Sequence, residues 1–184
     1  QRGFSQGGEG QMMQQGYFKK AMNIMSEIHP AYIRIDHLYD YYGVLSFDDE
    51  GQAVYDFSEL DRIVNAIIDA GAEPLMTLSY TPPALANGSV YIPPTDLDAW
   101  EALVYETVKY YNVERGLNIQ YWELWNEPNH TGFWNGTIQE YLDLYSATVR
   151  GLKRADPSAW IGGPATASSI ASAPTFYRFK VSFQ

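Results

Sequence analysis

Apolar residues recur along this chain in two alternating patterns. Phe18, Ala21, Met22, Met25 and Ile28 stand at helical spacing and stop at Pro30. Ala31 to Leu38 is short, apolar and β-branched, which predicts a strand. Leu60, Ile63, Val64, Ile67 and Ile68 form a second helical face, opened by a capping-box pattern at Asp56-Phe57-Ser58-Glu59 and closed by Gly71. Glu73 to Tyr80 predicts the next strand, ended by Thr81-Pro82-Pro83. Pro93-Pro94-Thr95 opens a third helix, with Thr95 as cap and Leu97, Trp100, Val104, Val108 and Tyr111 inside. Ile119 to Glu127 predicts a strand that Pro128 stops, because proline offers no N–H to a ladder and restricts the residue before it. Thr137-Ile138-Gln139-Glu140 is another capping box, followed by Tyr141, Leu144, Tyr145, Thr148 and Leu152 at helical spacing. Ala159 to Pro164 predicts a further short strand, and the Gly- and Gln-rich residues 1–10 predict a loop.

Helix and strand thus alternate strictly, with roughly 40–46 residues from strand to strand. Alternation implies right-handed βαβ units and a parallel sheet, which is covered on both faces or closed into a barrel. In a barrel the chemistry sits at the C-terminal strand ends. Asp36 and His37, Tyr80 and Thr81, Glu127, and Gly163 with Pro164 all fall at such ends.

Two groups of residues there carry chemistry. Glu127 is a carboxylic acid among aromatic rings with the Asn126 amide beside it, a plausible general acid; the plain reading is a salt-bridged carboxylate at a loop start. Arg34, Asp36 and His37 are polar groups in or at the end of an apolar strand and need partners. They form an internal salt bridge, Arg34 with a carboxylate, or they face an active site; the residues alone leave both open.

Composition narrows the setting. The chain has 184 residues, 46% hydrophobic and 18% charged, which suits one soluble domain with a sizeable core. No apolar run reaches the roughly 18 residues of a membrane span, so no membrane partner is expected. The net charge of −10 argues against a nucleic-acid partner. There is no cysteine, so disulfides and Cys-based metal sites are excluded. Asp48-Asp49-Glu50-Gly51 lacks the ligand spacing of a calcium loop, and neither metal nor other cofactor is expected. Asn87, Asn129 and Asn135 open Asn-x-Ser/Thr sequons, compatible with glycosylation and a secreted, extracellular protein. Aromatic residues make up 15%; they serve the core, or some of them form stacking platforms for sugar faces.

Trp122-Glu123-Leu124-Trp125-Asn126-Glu127-Pro128-Asn129, then Tyr141, Leu144 and Tyr145, then Ile161-Gly162-Gly163-Pro164, resembles glycoside hydrolase family 39 of clan A, the family of β-xylosidases and α-L-iduronidases. Ile33-Arg34-Ile35-Asp36 is similar to its second barrel strand. The resemblance runs over roughly residues 1–168 and implies a (β/α)8 TIM barrel, an α/β fold, of which this chain carries the N-terminal part, about strands 1/2 to 5. It implies a retaining mechanism on a carbohydrate substrate, with Glu127 as general acid/base. That role asks for a carboxyl pKa lifted toward neutrality. Asn126 would bond the sugar 2-hydroxyl, Arg34 would lie near the nucleophile, and Asp36, His37 and Tyr80 would line the sugar site. Glu123 reads as a structural interior carboxylate.

The same resemblance requires a second carboxylate about 5–5.5 Å from the first, supplied in the family by the seventh strand. No such residue is found here. The expectation is therefore that the nucleophile lies outside this sequence, supplied by the missing half of the barrel or by other chains. The first strand would be cut, ending around Gly3, and Gln1-Arg2-Gly3 points to residues upstream. Residues 1–173 read as the partial barrel domain. Residues 174–184 read as a separate tail whose period-two pattern, Tyr177 to Phe183, suggests a strand; Ala173 and Pro174 would join pieces not adjacent in the native protein, or the sequence is a partial one. The alternative is a non-catalytic carbohydrate-binding or assembly protein derived from such a barrel; an unrelated α/β binding domain with a chance Asn-Glu-Pro is a third. A polypeptide of these 184 residues alone would expose an apolar edge strand and half a barrel interior. Sedimentation is expected to find no compact, active monomer.

Overall fold

The computed structural model describes residues 3–6 and 16–167. Five parallel strands form one sheet in the order β1 (Gly3–Gln6), β2 (Tyr32–Ile35), β5 (Glu73–Leu78), β6 (Tyr121–Leu124) and β7 (Trp160–Gly162). The register sets Ile33 beside Phe4 and Pro74, Met76 beside Ile35 and Trp122, and Trp122 beside Ile161. Helices α1 (Gly16–Glu27), α2 (Ser58–Asp69), α3 (Leu97–Val108) and α4 (Ile138–Ala155) supply the crossovers. Among the strands of this sheet the helix–strand alternation expected from the sequence is present, as the parallel portion of a (β/α)8 barrel.

The main core lies between the sheet and these helices. Leu60, Ile63, Val64 and Ile67 come from α2, Trp100, Leu103, Val104 and Val108 from α3, and Leu144, Ala147 and Leu152 from α4. α2 ends with paired bonds from the Gly71 N–H to the Ile68 carbonyl and from the Ala72 N–H to the Ile67 carbonyl, a Schellman closure. At α4 the capping box forms as read: the Thr137 hydroxyl accepts from the Glu140 N–H, and Glu140 accepts from the Thr137 N–H at 2.7 Å. That bond holds the Glu140 carboxyl below its ordinary pKa.

The structure departs from the sequence reading in several places. Residues 3–6 form β1 rather than a loop, and the strand runs beyond Gly3 to Gln6. It is recruited through backbone bonds to β2, so side-chain periodicity carries no sign of it. A hairpin, β3 (Leu45–Phe47) with β4 (Ala53–Tyr55), interrupts the β2–α2 connection; its three-residue strands are too short to show a period. The acidic run at its tip serves the turn, with the Asp48 carboxylate accepting from the Glu50 and Gln52 N–H groups. Capping also differs. Phe57, not a side-chain acceptor, precedes α2, because the Asp56 carboxylate takes the Ser58 N–H. At α3 the cap is Asp96, accepting from Asp98 and Ala99, while the Thr95 hydroxyl donates to the Leu85 carbonyl. Regular β6 stops at Leu124, three residues before Glu127, because Trp125 enters the left-handed region at φ +63°. The expected strand at Tyr177–Phe183 and the 173/174 boundary lie outside the described residues.

α3 and α4 meet at Gly151. A Cβ there would stand 2.5 Å from the Glu101 carbonyl oxygen and 3.2 Å from Val104 Cβ. Nearby, Trp100 Nε1 donates to the Thr148 hydroxyl at 2.9 Å. Gly151→Ala is expected to destabilise by about 1–3 kcal/mol through overpacking, although alanine is the better helix former by about 1 kcal/mol. A melting temperature at or above that of the unaltered protein would disprove this close approach.

Candidate active site

The two faces of the sheet differ in chemistry. Ile33, Ile35, Met76, Leu78, Trp122 and Leu124 alternate on the helix side and are fully buried. The residues between them, Tyr32, Arg34, Leu75, Thr77, Tyr121 and Glu123, take the opposite face. Toward the C-terminal strand ends that face is polar, which a purely structural parallel sheet would avoid.

Arg34 is its centre. Its Nε donates to Glu123 Oε2 at 2.7 Å, its Nη1 reaches Asp36 Oδ2 at 3.4 Å, and its Nη2 donates to Asn126 Oδ1 at 3.1 Å. Glu123 Oε2 also accepts from the Thr77 hydroxyl at 2.9 Å. One guanidinium thus joins β2 to β6. Guanidinium has only donors, so the Asn126 oxygen must face it. The Asn126 Nδ2 is then directed to the Tyr80 hydroxyl, 3.0 Å away. Burial pushes the Tyr80 phenol above its ordinary pKa, partly offset by the Asn126 bond, so it stays protonated.

Tyr80 is fully buried among rings: Tyr91 and Trp125 meet it edge-on at 4.8 and 5.1 Å, and Phe133 stacks at 6.1 Å. His37 lies on another side, its ring centroid 4.7 Å away. His37 is in the left-handed region at φ +58°, just past β2, and its Nδ1 is 2.7 Å from Asp40 Oδ2. Asp40 Oδ1 accepts from the Tyr80 N–H at 3.3 Å.

Glu127 sits beyond β6 at φ +49°. Its N–H donates to the Ala165 carbonyl at 2.8 Å, and its carbonyl accepts from the His130 N–H. Its carboxylate is half-buried and has no hydrogen-bond or ion-pair partner among the described residues. Gly163, at φ +131°, lets the chain after β7 pass close by; a Cβ there would meet the Leu124 carbonyl oxygen at 3.1 Å. Asn129 bonds the Ala167 N–H through its side chain, while Asn87 and Asn135 are exposed.

All six expected site residues therefore gather at the C-terminal ends of β2, β5 and β6. Arg34, Asp36, Asn126 and Tyr80 form one bonded network, His37 touches it through Tyr80, and Glu127 follows Asn126 in the chain. The salt-bridge reading of Arg34 holds, since it pairs with Glu123, and the same guanidinium bonds Asn126. Asp40, Thr77 and the ring of Phe133 were not legible as part of this cluster. The one available signal was Glu123, a carboxylate that strand alternation sets between the buried Trp122 and Leu124 and on the opposite face.

A parallel β/α sheet with carboxylates, an arginine and aromatic rings at its C-terminal ends defines the class of β/α-barrel proteins with a candidate active site at that end. The model of Glycosyl hydrolases family 39 matches residues 3–179, and the chain belongs to that family. It is 31% identical over 168 residues to a β-xylosidase from Caldicellulosiruptor saccharolyticus, covering 84% of this chain and 34% of the relative. It is 33% identical over 136 residues to a β-xylosidase from Geobacillus stearothermophilus, covering 67% of this chain and 27% of the relative. The chain thus spans about a third of the length of these relatives. Among solved structures, a monomeric β-xylosidase from Caulobacter crescentus superposes with a TM-score of 0.80 at 28% identity, covering 90% of this chain and 36% of that one. A family 39 enzyme from Xanthomonas axonopodis pv. citri gives 0.81 at 26% identity, covering 94% and 38%. The chance-motif reading of Asn-Glu-Pro falls with these matches.

Removing Glu123 should reveal how far the site leans on Arg34. Glu123→Ala strands a mostly buried guanidinium and is expected to cost about 3 kcal/mol, read from denaturant midpoints of the full-length protein. Glu123→Gln, which keeps an acceptor, is expected to cost less. Equal, negligible losses would show that the pair does not hold β2 to β6.

Proposed function

We propose that these residues form the acid/base half of a retaining glycoside hydrolase active site, cleaving an O-glycosyl bond of a carbohydrate. The observation that carries this is the Glu127 carboxylate, unclaimed by any described group, beside an Asn126 amide held on both sides. Relatives are named β-xylosidase and α-L-iduronidase; a glycoside is the substrate class common to both names.

In this mechanism Glu127 gives its proton to the glycosidic oxygen as the bond to the leaving group breaks. A nucleophilic carboxylate, supplied from outside these residues, takes the anomeric carbon. Glu127, now ionised, removes a proton from the incoming water, whose oxygen displaces that carboxylate. Arg34 and Tyr80 hold the Asn126 amide without a rotamer search, so it can bond the sugar 2-hydroxyl as positive charge develops on the ring. Asp36 and His37 line the sugar pocket, and Arg34 lies where it would keep the nucleophile ionised. The unclaimed carboxylate favours this over the non-catalytic reading, in which a free half-buried acid has no use.

Glu127→Gln in the full-length protein is expected to lower turnover of natural glycosides about 10²–10⁴-fold, the range for a general acid/base, with sugar binding retained. Aryl glycosides with good leaving groups need little protonation and should lose far less in the first step. Unchanged hydrolysis of natural substrates would overturn the assignment.

A further inference from the structure

Asp40 has no part in that mechanism, yet it is paired with His37, and both side chains are almost wholly enclosed, His37 10% exposed and Asp40 6%. Both carboxylate oxygens of Asp40 are committed, Oδ2 to His37 Nδ1 at 2.7 Å and Oδ1 to the Tyr80 N–H at 3.3 Å. A carboxylate only accepts, so Nδ1 must carry the proton. The other ring nitrogen, Nε2, has no hydrogen-bond partner among the described residues. The ring itself is fixed by packing between Tyr41, at 4.5 Å, and Tyr80, at 4.7 Å.

We infer that Asp40 is a positioning residue that locks His37 in its Nδ1–H form, leaving Nε2 to accept a hydrogen bond from a sugar hydroxyl. This rests on the glycosidase reading for the ligand, while the proton on Nδ1 stands on the geometry alone. The second bond of Asp40 is what makes the lock testable. In Asp40→Asn the backbone N–H of Tyr80 still requires an oxygen, so the amide oxygen stays there and the amide NH2 turns to His37 Nδ1. Nδ1 then has to accept, and the ring proton moves to Nε2. The acceptor offered to the sugar becomes a donor with no change of shape. The same logic underlies the loss of the correct tautomer when the aspartate of a serine-protease triad becomes asparagine.

The test is made on the full-length protein with 15N-labelled histidine, the His37 signal being assigned by its disappearance in His37→Gln. Nitrogen chemical shifts separate the two neutral tautomers from the doubly protonated ring. The expected result is protonated Nδ1 and bare Nε2 in the unaltered protein, and the reverse in Asp40→Asn. With an aryl glycoside of good leaving group, the variant should raise KM about tenfold, leave kcat within a few-fold and keep its melting temperature. Protonated Nε2 in the unaltered protein, alone or with Nδ1, overturns the inference, and so does an unchanged KM in a variant whose tautomer has inverted. Should the variant not fold, the resonance of the unaltered protein still decides. Because the ring state is read without turnover, failure of the glycosidase reading is distinguishable from failure of this one.

Discussion

The structure turns on the burial of one positive charge. Arg34 lies on the inner face of the sheet, where a guanidinium is tolerable only if its donors are met. Glu123 faces two of its nitrogens, Nε and Nη2, and Asp36 and Asn126 each meet one further donor. This demand fixes β2 against β6 across β5 and orients the Asn126 amide, because arginine cannot accept. A hydrophobic substitute could stabilise the sheet as well or better. What the ion network supplies is geometry: a particular rotamer at a particular strand end.

Around that network the backbone bends in ways regular strands do not. Trp125 and Glu127 both adopt the left-handed region, which costs side chains other than glycine, by about 1–3 kcal/mol each. The turn is held by bonds from elsewhere: Trp125 Nε1 to the Phe133 carbonyl at 2.7 Å, and the Glu127 N–H to the Ala165 carbonyl at 2.8 Å. The segment after β7 reaches Glu127 only because Gly163 lets it approach β6. Strain at Glu127 is thus balanced by contacts from the segment after β7 and from the loop before α4, and its position is set by the fold rather than by its own strand.

The aromatic content has the same double use. Trp100, Trp122 and Tyr111 are fully buried core, as the bland reading of composition had it. Tyr80 and Trp125, equally buried, join Phe133 and Tyr91 in a contiguous wall next to Asn126 and His37. Rings packed edge to face are stiff, and stiffness is what a hydrogen-bonding amide and imidazole need from their surroundings.

The sequence by itself determined whatever is encoded within one turn or one strand. The helical faces of α2, α3 and α4 and the Thr137–Glu140 box all repeat or close within about ten residues, so local pattern alone located them. The Asn126–Glu127 pair was legible for the same reason, as polar residues at the end of an apolar run. The tertiary structure decided the partners. Arg34 finds Glu123 and Asn126 at sequence separations of 89 and 92, and Asn126 finds Tyr80 at 46. Such pairs are fixed by strand register, which no local pattern states. β1 and Asp40 were missed on the same ground: one exists through backbone bonds to β2, and the other matters only because β5 brings Tyr80 beside the turn that follows β2.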